Sequence, residues 1–274
     1  MQNVLIDPNT LAQWLVEGRD PVVLDARARL QDAGAGRALW REGHVPGARH
    51  ADMDRELAAP PSPQGGRHPL PDHTTFAAQL QRWGVTPERP VVVYDDQGGA
   101  IAAARAWWML VWAGHPAAYV LDGGWPAWRA GDHPVSIDTT QPEPSDWVPI
   151  FDDTLLATAA DVARGDAVLL DARASERFRG EYEPLDPAAG HIPGAYNVPA
   201  SSLLDTQFRL VSPSELAQAL PAGDAVISYC GSGVSACQLI LVYAALGRPL
   251  PRLYPGSWSA WSHDPARPVA TGLD

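Results

Sequence analysis

The sequence predicts an α/β fold made of two tandem domains of the same kind, each a mostly parallel β-sheet flanked by helices. Two observations lead to this prediction. Four sequence motifs occur twice in the same order along the 274 residues, and short apolar runs alternate with longer apolar or amphipathic segments in each copy. A repeat on this scale indicates a duplicated domain, and alternating strands and helices favour an α/β sheet.

The repeated motifs define the two copies. The pairs are Val22-Val-Leu-Asp-Ala-Arg-Ala28 with Val168-Leu-Leu-Asp-Ala-Arg-Ala174, Gly43-His-Val-Pro-Gly-Ala48 with Gly190-His-Ile-Pro-Gly-Ala195, Val91-Val-Val-Tyr94 with Val226-Ile-Ser-Tyr229, and Gly124-Trp-Pro-Ala-Trp128 with Ser257-Trp-Ser-Ala-Trp261. The offset between copies is 146, 147, 135 and 133 in turn. The first copy therefore carries about a dozen additional residues, which include a Pro- and Gly-rich loop at 60–66. We expect a first domain over 1–138, a linker over 139–153 and a second domain over 154–274.

Local sequence signals define the elements of each domain. Apolar runs with β-branched residues predict buried strands at 22–24, 91–94, 168–170 and 225–229. Longer segments predict helices at 10–17, 74–83, 100–113, 154–164, 212–220 and 234–246. Gly114 and Gly247 are typical helix C-caps, and Ser212-Pro-Ser-Glu215 fits a capping box with proline at the first helical position.

Composition excludes several classes of protein. A hydrophobic fraction of 46% and a charged fraction of 19% predict a packed core. The net charge of −12 argues against nucleic acid as a partner. The chain has no apolar run long enough to span a membrane, and its first residues do not resemble a signal peptide. Two cysteines argue against a disulfide framework and exclude a four-cysteine metal site, so we expect a cytoplasmic protein.

Cys230 is the candidate nucleophile. It follows directly on a predicted buried strand that ends at Tyr229, and the loop Gly231-Ser-Gly-Val-Ser235 leads from it into a helix. The carboxyl end of a parallel strand is where ligands bind in open α/β sheets. Glycines in such a loop let backbone N–H groups turn inward around an anion, and the helix start adds a positive dipole end. Both effects favour the thiolate, which is the reactive form of cysteine.

Other interpretations of the two cysteines remain. Cys230 could be a buried structural cysteine, although the surrounding pattern favours a reactive one. Cys237 lies within the apolar helix and is expected in the core, while a redox pair of the two cysteines is a further alternative. A cysteine phosphatase needs an arginine six residues after its cysteine, and Ala236 stands there instead.

The repeated motifs, the Trp-x-x-Trp ends and the cysteine loop together resemble the tandem-domain rhodaneses along nearly the whole chain. The resemblance implies two rhodanese folds, with the active site in the second and an inactive first. The sequence agrees with this, because Asp95 stands at the position of Cys230 and an aspartate cannot hold a persulfide. The Asp25/Arg27 and Asp171/Arg173 pairs occur in both copies, which indicates structural ion pairs, and the repeated tryptophans indicate packing.

The loop is similar to that of the 3-mercaptopyruvate branch, whose Cys-Gly-Ser-Gly-Val-Thr differs from this chain only at Ser235. The resemblance implies substrate contacts by Gly231, Gly233, Val234 and Ser235. It implies further that three residues act together: Ser232, His68 from Arg67-His-Pro-Leu-Pro71, and Asp54 from Asp52-Met-Asp54. In this group His68 would move a proton and Asp54 would orient His68.

The resemblance also implies a carboxylate-binding arginine, Arg177, in Glu176-Arg-Phe-Arg-Gly180. The branch often has a second arginine in a Glu-Pro-Arg sequence, and this chain has Glu183-Pro-Leu185. Leu185 cannot bind a carboxylate, so the chain departs from the branch at this position. Arg179 is a possible substitute, although a solvated surface position is the expected one.

These residues predict a monomeric sulfurtransferase that moves sulfur from 3-mercaptopyruvate to a thiol, such as reduced thioredoxin, or to cyanide through a Cys230 persulfide. The first alternative is a thiosulfate:cyanide sulfurtransferase, because the family includes a thiosulfate branch. The second is a non-catalytic persulfide carrier. The sulfur transfer is expected to need no metal or organic cofactor, and no nucleic acid or membrane partner is expected.

Overall fold

A computed structural model describes residues 4–29, 32–99, 102–139, 141–223 and 225–272. The chain divides into two compact units. The first unit comprises Met1–Ala58, Pro71–Asp152 and Thr206–Leu210, and the second comprises Ala59–Leu70, Asp153–Asp205 and Val211–Asp274. The segment Ala59–Leu70, which contains His68, therefore belongs to the same unit as Cys230.

The first unit contains a five-stranded parallel sheet in the order β1-β5-β4-β2-β3. Its elements are β1 (Leu5–Ile6), α1 (Pro8–Glu17), β2 (Val22–Asp25), α2 (Ala35–Glu42), β3 (Arg49–His50), α3 (His73–Arg82), β4 (Val91–Tyr94), α4 (Ala102–Trp112), β5 (Ala118–Leu121) and α5 (Gly124–Ala130). Every residue of β2 and β4 is buried, as expected for central parallel strands that are covered on both faces. Residues 100 and 101 of the predicted helix 100–113 lie outside the described residues.

The second unit contains a four-stranded parallel sheet in the order β7-β6-β8-β9. Its elements are a 3₁₀ turn (Asp153–Leu155), α6 (Ala159–Arg164), β6 (Val168–Asp171), α7 (Ser175–Phe178), β7 (Ala195–Asn197), a second 3₁₀ turn (Ala200–Leu203), α8 (Pro213–Ala219), β8 (Val226–Tyr229), α9 (Ala236–Ala245), β9 (Arg252–Leu253) and α10 (Ser257–Trp261). A single parallel bridge between Leu156 and Leu253 stands where β1 pairs with β5 in the first unit. The prediction of two mostly parallel sheets flanked by helices is confirmed.

Capping decides where several helices begin. Ser212 and Glu215 form the predicted capping box at the start of α8, with Pro213 in its first turn. The helix predicted over 154–164 is shorter than expected. It begins only at Ala159, because the Thr158 hydroxyl accepts the N–H of Asp161 while the Asp161 carboxylate accepts the N–H of Thr158.

Each unit contains the same buried ion pair. Arg27 Nη2 lies 2.5 Å from Asp25 Oδ2 and its guanidinium lies 4.6 Å from the Trp125 ring centre. The second unit repeats this with Arg173, whose Nη2 lies 2.6 Å from Asp171 Oδ2 and whose guanidinium lies 4.7 Å from the Trp258 ring centre. The contacts give the repeated motifs a structural function in both units.

Apolar helices cover the sheets. In α4 and α9 most residues are buried on all sides, which matches their continuous apolar sequences. None of the helices in the described residues is both long and apolar enough to cross a membrane.

Candidate active site

Cys230 follows directly after β8, at the carboxyl edge of the sheet in the second unit. Its exposure is 2%, and residues 231–234 are buried with it. The loop turns at Gly233, whose φ is +77°, and α9 begins at Ala236. The predicted order of strand, cysteine, glycine loop and helix is confirmed. This arrangement directs the start of a helix towards the loop that carries the thiol.

Two backbone hydrogen bonds fix the cysteine from the α10 side. The Cys230 N–H donates to Ser257 Oγ at 3.1 Å, and the Cys230 carbonyl accepts from the Trp258 N–H at 2.9 Å. Ser257 Oγ in turn donates to the Tyr254 carbonyl at 2.9 Å. Ser257 has a φ of +51°, which is unusual for a residue other than glycine. The equivalent residue of the first unit is Gly124, with a φ of +56°.

His68 and Ser232 are in contact. His68 Nδ1 lies 2.7 Å from Ser232 Oγ, and Ser232 is only 5% exposed. The two residues are 164 positions apart in the chain. Ser232 is two residues from Cys230, so the contact places an imidazole and a hydroxyl on the cysteine loop. Such a pair can carry a proton to or from a reacting group.

Two arginines lie against Gly231. A Cβ atom built on Gly231 would stand 2.9 Å from Arg67 Nη2 and 3.4 Å from Arg177 Nη1. Arg177 also donates to Glu183, from Nη2 to Oε1 at 2.7 Å, and to Asp186 Oδ2 at 3.1 Å. Arg67 Nη1 pairs with Asp186 Oδ1. A side chain at this position would therefore contact both guanidinium groups, and Arg67 would have to shift away from the loop.

The acidic residues of this cluster are almost completely buried. The side chains of Glu183 and Asp186 are 3% and 2% exposed. Burial raises the pKa of Asp186 above its usual value, and the neighbouring Arg67 opposes this. Glu183 also accepts the backbone N–H groups of Leu185 and Asp186 at 3.0 and 3.1 Å. The carboxylates therefore hold both the guanidinium groups and the turn at 183–186.

Leu185 and Arg179 contribute no charged group to this cluster. The backbone N–H of Leu185 donates to Glu183, whereas the residue is 51% exposed. Arg179 pairs with Glu181, from Nε to Oε1 at 2.6 Å, and both side chains are partly or largely exposed. These contacts fit the solvated surface position that the sequence favours for Arg179.

Asp54 belongs to the first unit. It is exposed, and its backbone N–H donates to Asp52 Oδ1 at 3.1 Å within a turn after β3. Partial desolvation and the charge of Asp52 raise the pKa of Asp54. Its function as the orienting acid for His68 stays a prediction.

Cys237 lies in the first turn of α9 and is fully buried. Its Sγ donates to the Gly233 carbonyl at 3.5 Å, and both cysteines are free thiols. The position fits the expected core packing. No group of three or more His, Cys, Asp or Glu side chains that could hold a metal ion occurs among the described residues.

Sequence reasoning missed three contributors to this site, Arg67, Ser257 and Ser259. Arg67 stands next to His68 in the motif that identified His68, so its charge was a usable signal. Ser257 replaces Gly124 in an otherwise matching motif, and that mismatch was also visible. Ser259 could be found only from the fold. Its N–H donates to the Gly231 carbonyl at 2.9 Å and its hydroxyl accepts the Arg67 N–H at 3.1 Å.

The proteins that this chain resembles carry two activity names, 3-mercaptopyruvate sulfurtransferase and thiosulfate sulfurtransferase. A Pseudomonas aeruginosa protein named "Probable 3-mercaptopyruvate sulfurtransferase" is 46% identical, over 98% of each chain. A Mycobacterium tuberculosis protein named "Putative thiosulfate sulfurtransferase SseB" is 41% identical, over 98% of this chain and 97% of its own. The structure of 3-mercaptopyruvate sulfurtransferase from Leishmania major superposes with a TM-score of 0.85 at 32% identity, covering 94% of this chain and 73% of that one.

The family model for the rhodanese-like domain matches residues 7–131 and again residues 156–264. The first match contains strands β2 to β5 of the first sheet, and the second contains strands β6 to β9 together with Cys230 and its loop. The resemblance on which the sequence prediction relied is confirmed, and this chain belongs to the rhodanese family as a tandem of two rhodanese-like domains.

Proposed function

We propose that the protein is a sulfurtransferase that takes sulfur from 3-mercaptopyruvate and passes it to a thiol or to cyanide through a persulfide on Cys230. The observation that carries this proposal is the 2.7 Å contact between His68 Nδ1 and Ser232 Oγ on the loop of Cys230. A donor that leaves as a carbanion needs a proton, and this pair can supply one.

The first half-reaction forms the persulfide. The Cys230 thiolate attacks the donor sulfur, a sulfur–sulfur bond forms, and the carbon–sulfur bond breaks with its electron pair moving to carbon. The leaving group is the enolate of pyruvate. The proton of the donor thiol passes through Ser232 and His68 to that enolate, which leaves pyruvate and an ionised persulfide. Arg177 holds the donor carboxylate during this step.

The second half-reaction returns the cysteine to its thiolate. An acceptor thiolate attacks the outer sulfur, a new sulfur–sulfur bond forms on the acceptor, and the Cys230 sulfur departs as thiolate. Cyanide reacts in the same way and gives thiocyanate. A reduced thioredoxin in the cytoplasm is the acceptor class we propose, with the enzyme acting as a monomer, and no metal or organic cofactor takes part.

Thiosulfate is the second candidate donor. Two guanidinium groups near Gly231 would attract a dianion, and Leu185 removes a charge that a carboxylate donor could use. Sulfite leaves thiosulfate without needing a proton. The two donors therefore differ in their dependence on His68.

The test is a comparison of kcat/KM for both donors in the wild type, Cys230→Ser and His68→Gln, following pyruvate release, sulfite release and thiocyanate. We expect 3-mercaptopyruvate to be the better donor, Cys230→Ser to be inactive, and His68→Gln to lose about a hundredfold with 3-mercaptopyruvate but far less with thiosulfate. A preference for thiosulfate would overturn the choice of donor. A stable Cys230 persulfide in mass spectra without turnover would instead identify a persulfide carrier.

A further inference from the structure

We infer that Arg67 is the second donor-binding arginine of this enzyme and takes over the function that Leu185 cannot perform. This inference rests on the proposed function, because it concerns the carboxylate of a 3-mercaptopyruvate-type donor. Guanidinium groups bind carboxylates through strong, charge-assisted hydrogen bonds, and Arg177 is the arginine that the sequence identified for this.

The geometry places Arg67 and Arg177 at the same point of the loop. The nitrogens nearest a Cβ built on Gly231 are Arg67 Nη2 at 2.9 Å and Arg177 Nη1 at 3.4 Å. The side chains keep 29% and 18% of their surface exposed, so solvent and a small anion can reach them. Gly231 is adjacent to Cys230 in the chain, so an anion between these nitrogens would be bound at the loop that carries the thiol.

The acidic partners use other nitrogens of the same two groups. Arg67 contacts Asp186 through Nη1, and Arg177 contacts Glu183 and Asp186 through Nε and Nη2. Asp186 bridges the two arginines from one side and turns the remaining edges, Arg67 Nη2 and Arg177 Nη1, towards Gly231. Such fixed guanidinium groups lose little freedom when they bind a carboxylate.

The backbone of Arg67 is tied to the cysteine loop. Its N–H donates to Ser259 Oγ at 3.1 Å, while the Ser259 N–H donates to the Gly231 carbonyl at 2.9 Å. The preceding residue, Gly66, has a φ of +80°, and a Cβ there would stand 2.6 Å from the Gly256 carbonyl oxygen. One short segment therefore delivers both the cation and the neighbouring His68 to the loop.

The experiment compares Arg67→Gln with Arg179→Gln, an exposed arginine paired with Glu181, and with the double variant Arg67→Gln/Leu185→Arg. We expect Arg67→Gln to raise KM for 3-mercaptopyruvate by about 10- to 100-fold with kcat within about threefold, since it removes a contact present before and during reaction. Arg179→Gln should stay within about twofold, and adding Leu185→Arg should recover about tenfold or more of the lost kcat/KM.

Three results would overturn the inference, and each points to a different failure. Unchanged KM in Arg67→Gln shows that Arg67 does not bind the donor, while the proposed function stands. A lower kcat and a lower melting temperature without a change in KM show a purely structural residue. A wild type that releases no pyruvate from 3-mercaptopyruvate removes the proposed function itself, whatever the variants do.

Discussion

The loops after β4 and β8 begin at the same strand position and hold different groups. In the first unit Asp95 Oδ1 accepts the N–H groups of Gln97 at 2.9 Å and Gly99 at 2.8 Å, and Oδ2 accepts that of Ala103 at 3.2 Å. In the second unit Cys230 stands at this position, and its glycine loop carries a thiol instead of a carboxylate. The backbone N–H groups of the first loop therefore bind the Asp95 carboxylate. The second loop instead carries a sulfur that can react with a bound donor.

This difference shows how a duplicated fold can have one inactive copy. The ion pair, the tryptophan contact and the strand register are the same in both units, so the inactive copy keeps its structure. The Asp95 side chain replaces the nucleophilic cysteine. It also accepts the loop N–H groups that could otherwise bind a charged persulfide.

The largest effect on activity should come from replacing Cys230 of the second loop by aspartate, the residue at this position of the first loop. Cys230→Asp should lower turnover with either donor by at least about a thousandfold, because no persulfide can form. Activity assays with a circular dichroism check on folding measure this. Cys237→Ala is the matched control and should keep most of its turnover, and sulfur transfer by Cys230→Asp would contradict the comparison.

Substitutions in the two buried ion pairs can distinguish an effect on stability from an effect on donor binding. Arg27→Leu and Arg173→Leu should each lower the free energy of unfolding by about 4 kcal/mol, since each leaves a buried carboxylate without its partner. Only Arg173→Leu should also raise KM for the donor, because Arg173 Nη1 lies 3.5 Å from the Glu183 that holds Arg177. Urea unfolding and steady-state kinetics test this, and equal KM values in the two variants would disprove the link.

Asp95 should matter for stability and not for sulfur transfer. Asp95→Ala removes the hydrogen bonds that the buried carboxylate accepts from Gln97, Gly99 and Ala103. This should cost about 3 kcal/mol of unfolding free energy while turnover of the folded protein is unchanged. Its neighbour Asp96 pairs with Arg29, whose side chain is 41% exposed, so Asp96→Ala should cost less than about 1 kcal/mol. Similar losses in both variants, measured by urea unfolding, would show that Asp95 does not fill its loop as described.

The smallest effect is a difference in pH dependence. His50 Nδ1 contacts the Asp25 carbonyl at 3.2 Å, and in the second unit Asn197 Nδ2 donates to the Asp171 carbonyl at 3.1 Å. Burial lowers the pKa of His50 below its usual 6.5. Unfolding therefore takes up a proton just below pH 6.5, and the stability present above that pH is lost as the pH falls.

His50→Asn introduces the residue that the second unit has at this position, Asn197. It should remove the acid-dependent loss of unfolding free energy, which is at most about 1.4 kcal/mol per pH unit. Urea unfolding between pH 5 and pH 8 measures it. The same acid dependence in His50→Asn would show that His50 is not its source.

The strands, helices and the cysteine loop could be predicted from the sequence because their signals are local. Apolar runs, caps and the duplication place β8, Cys230 and α9 without any knowledge of the fold. Residues brought from far along the chain could not be found in this way. Arg67 and Ser259 are 192 positions apart, and His68 was assigned only through the family resemblance.

Ser257 adopts a left-handed backbone conformation that is unfavourable for serine, next to the active loop of the second unit. Gly124 adopts the left-handed backbone of this turn without cost, whereas Ser257 adopts it at about 1 kcal/mol in order to hold the Cys230 N–H with its hydroxyl. Glycine would relax the turn but remove the hydroxyl that accepts the buried Cys230 N–H, which costs about 1–3 kcal/mol. Because that loss is at least as large as the strain, a search for thermostable variants and a search for fast sulfur transfer should both retain serine at this position.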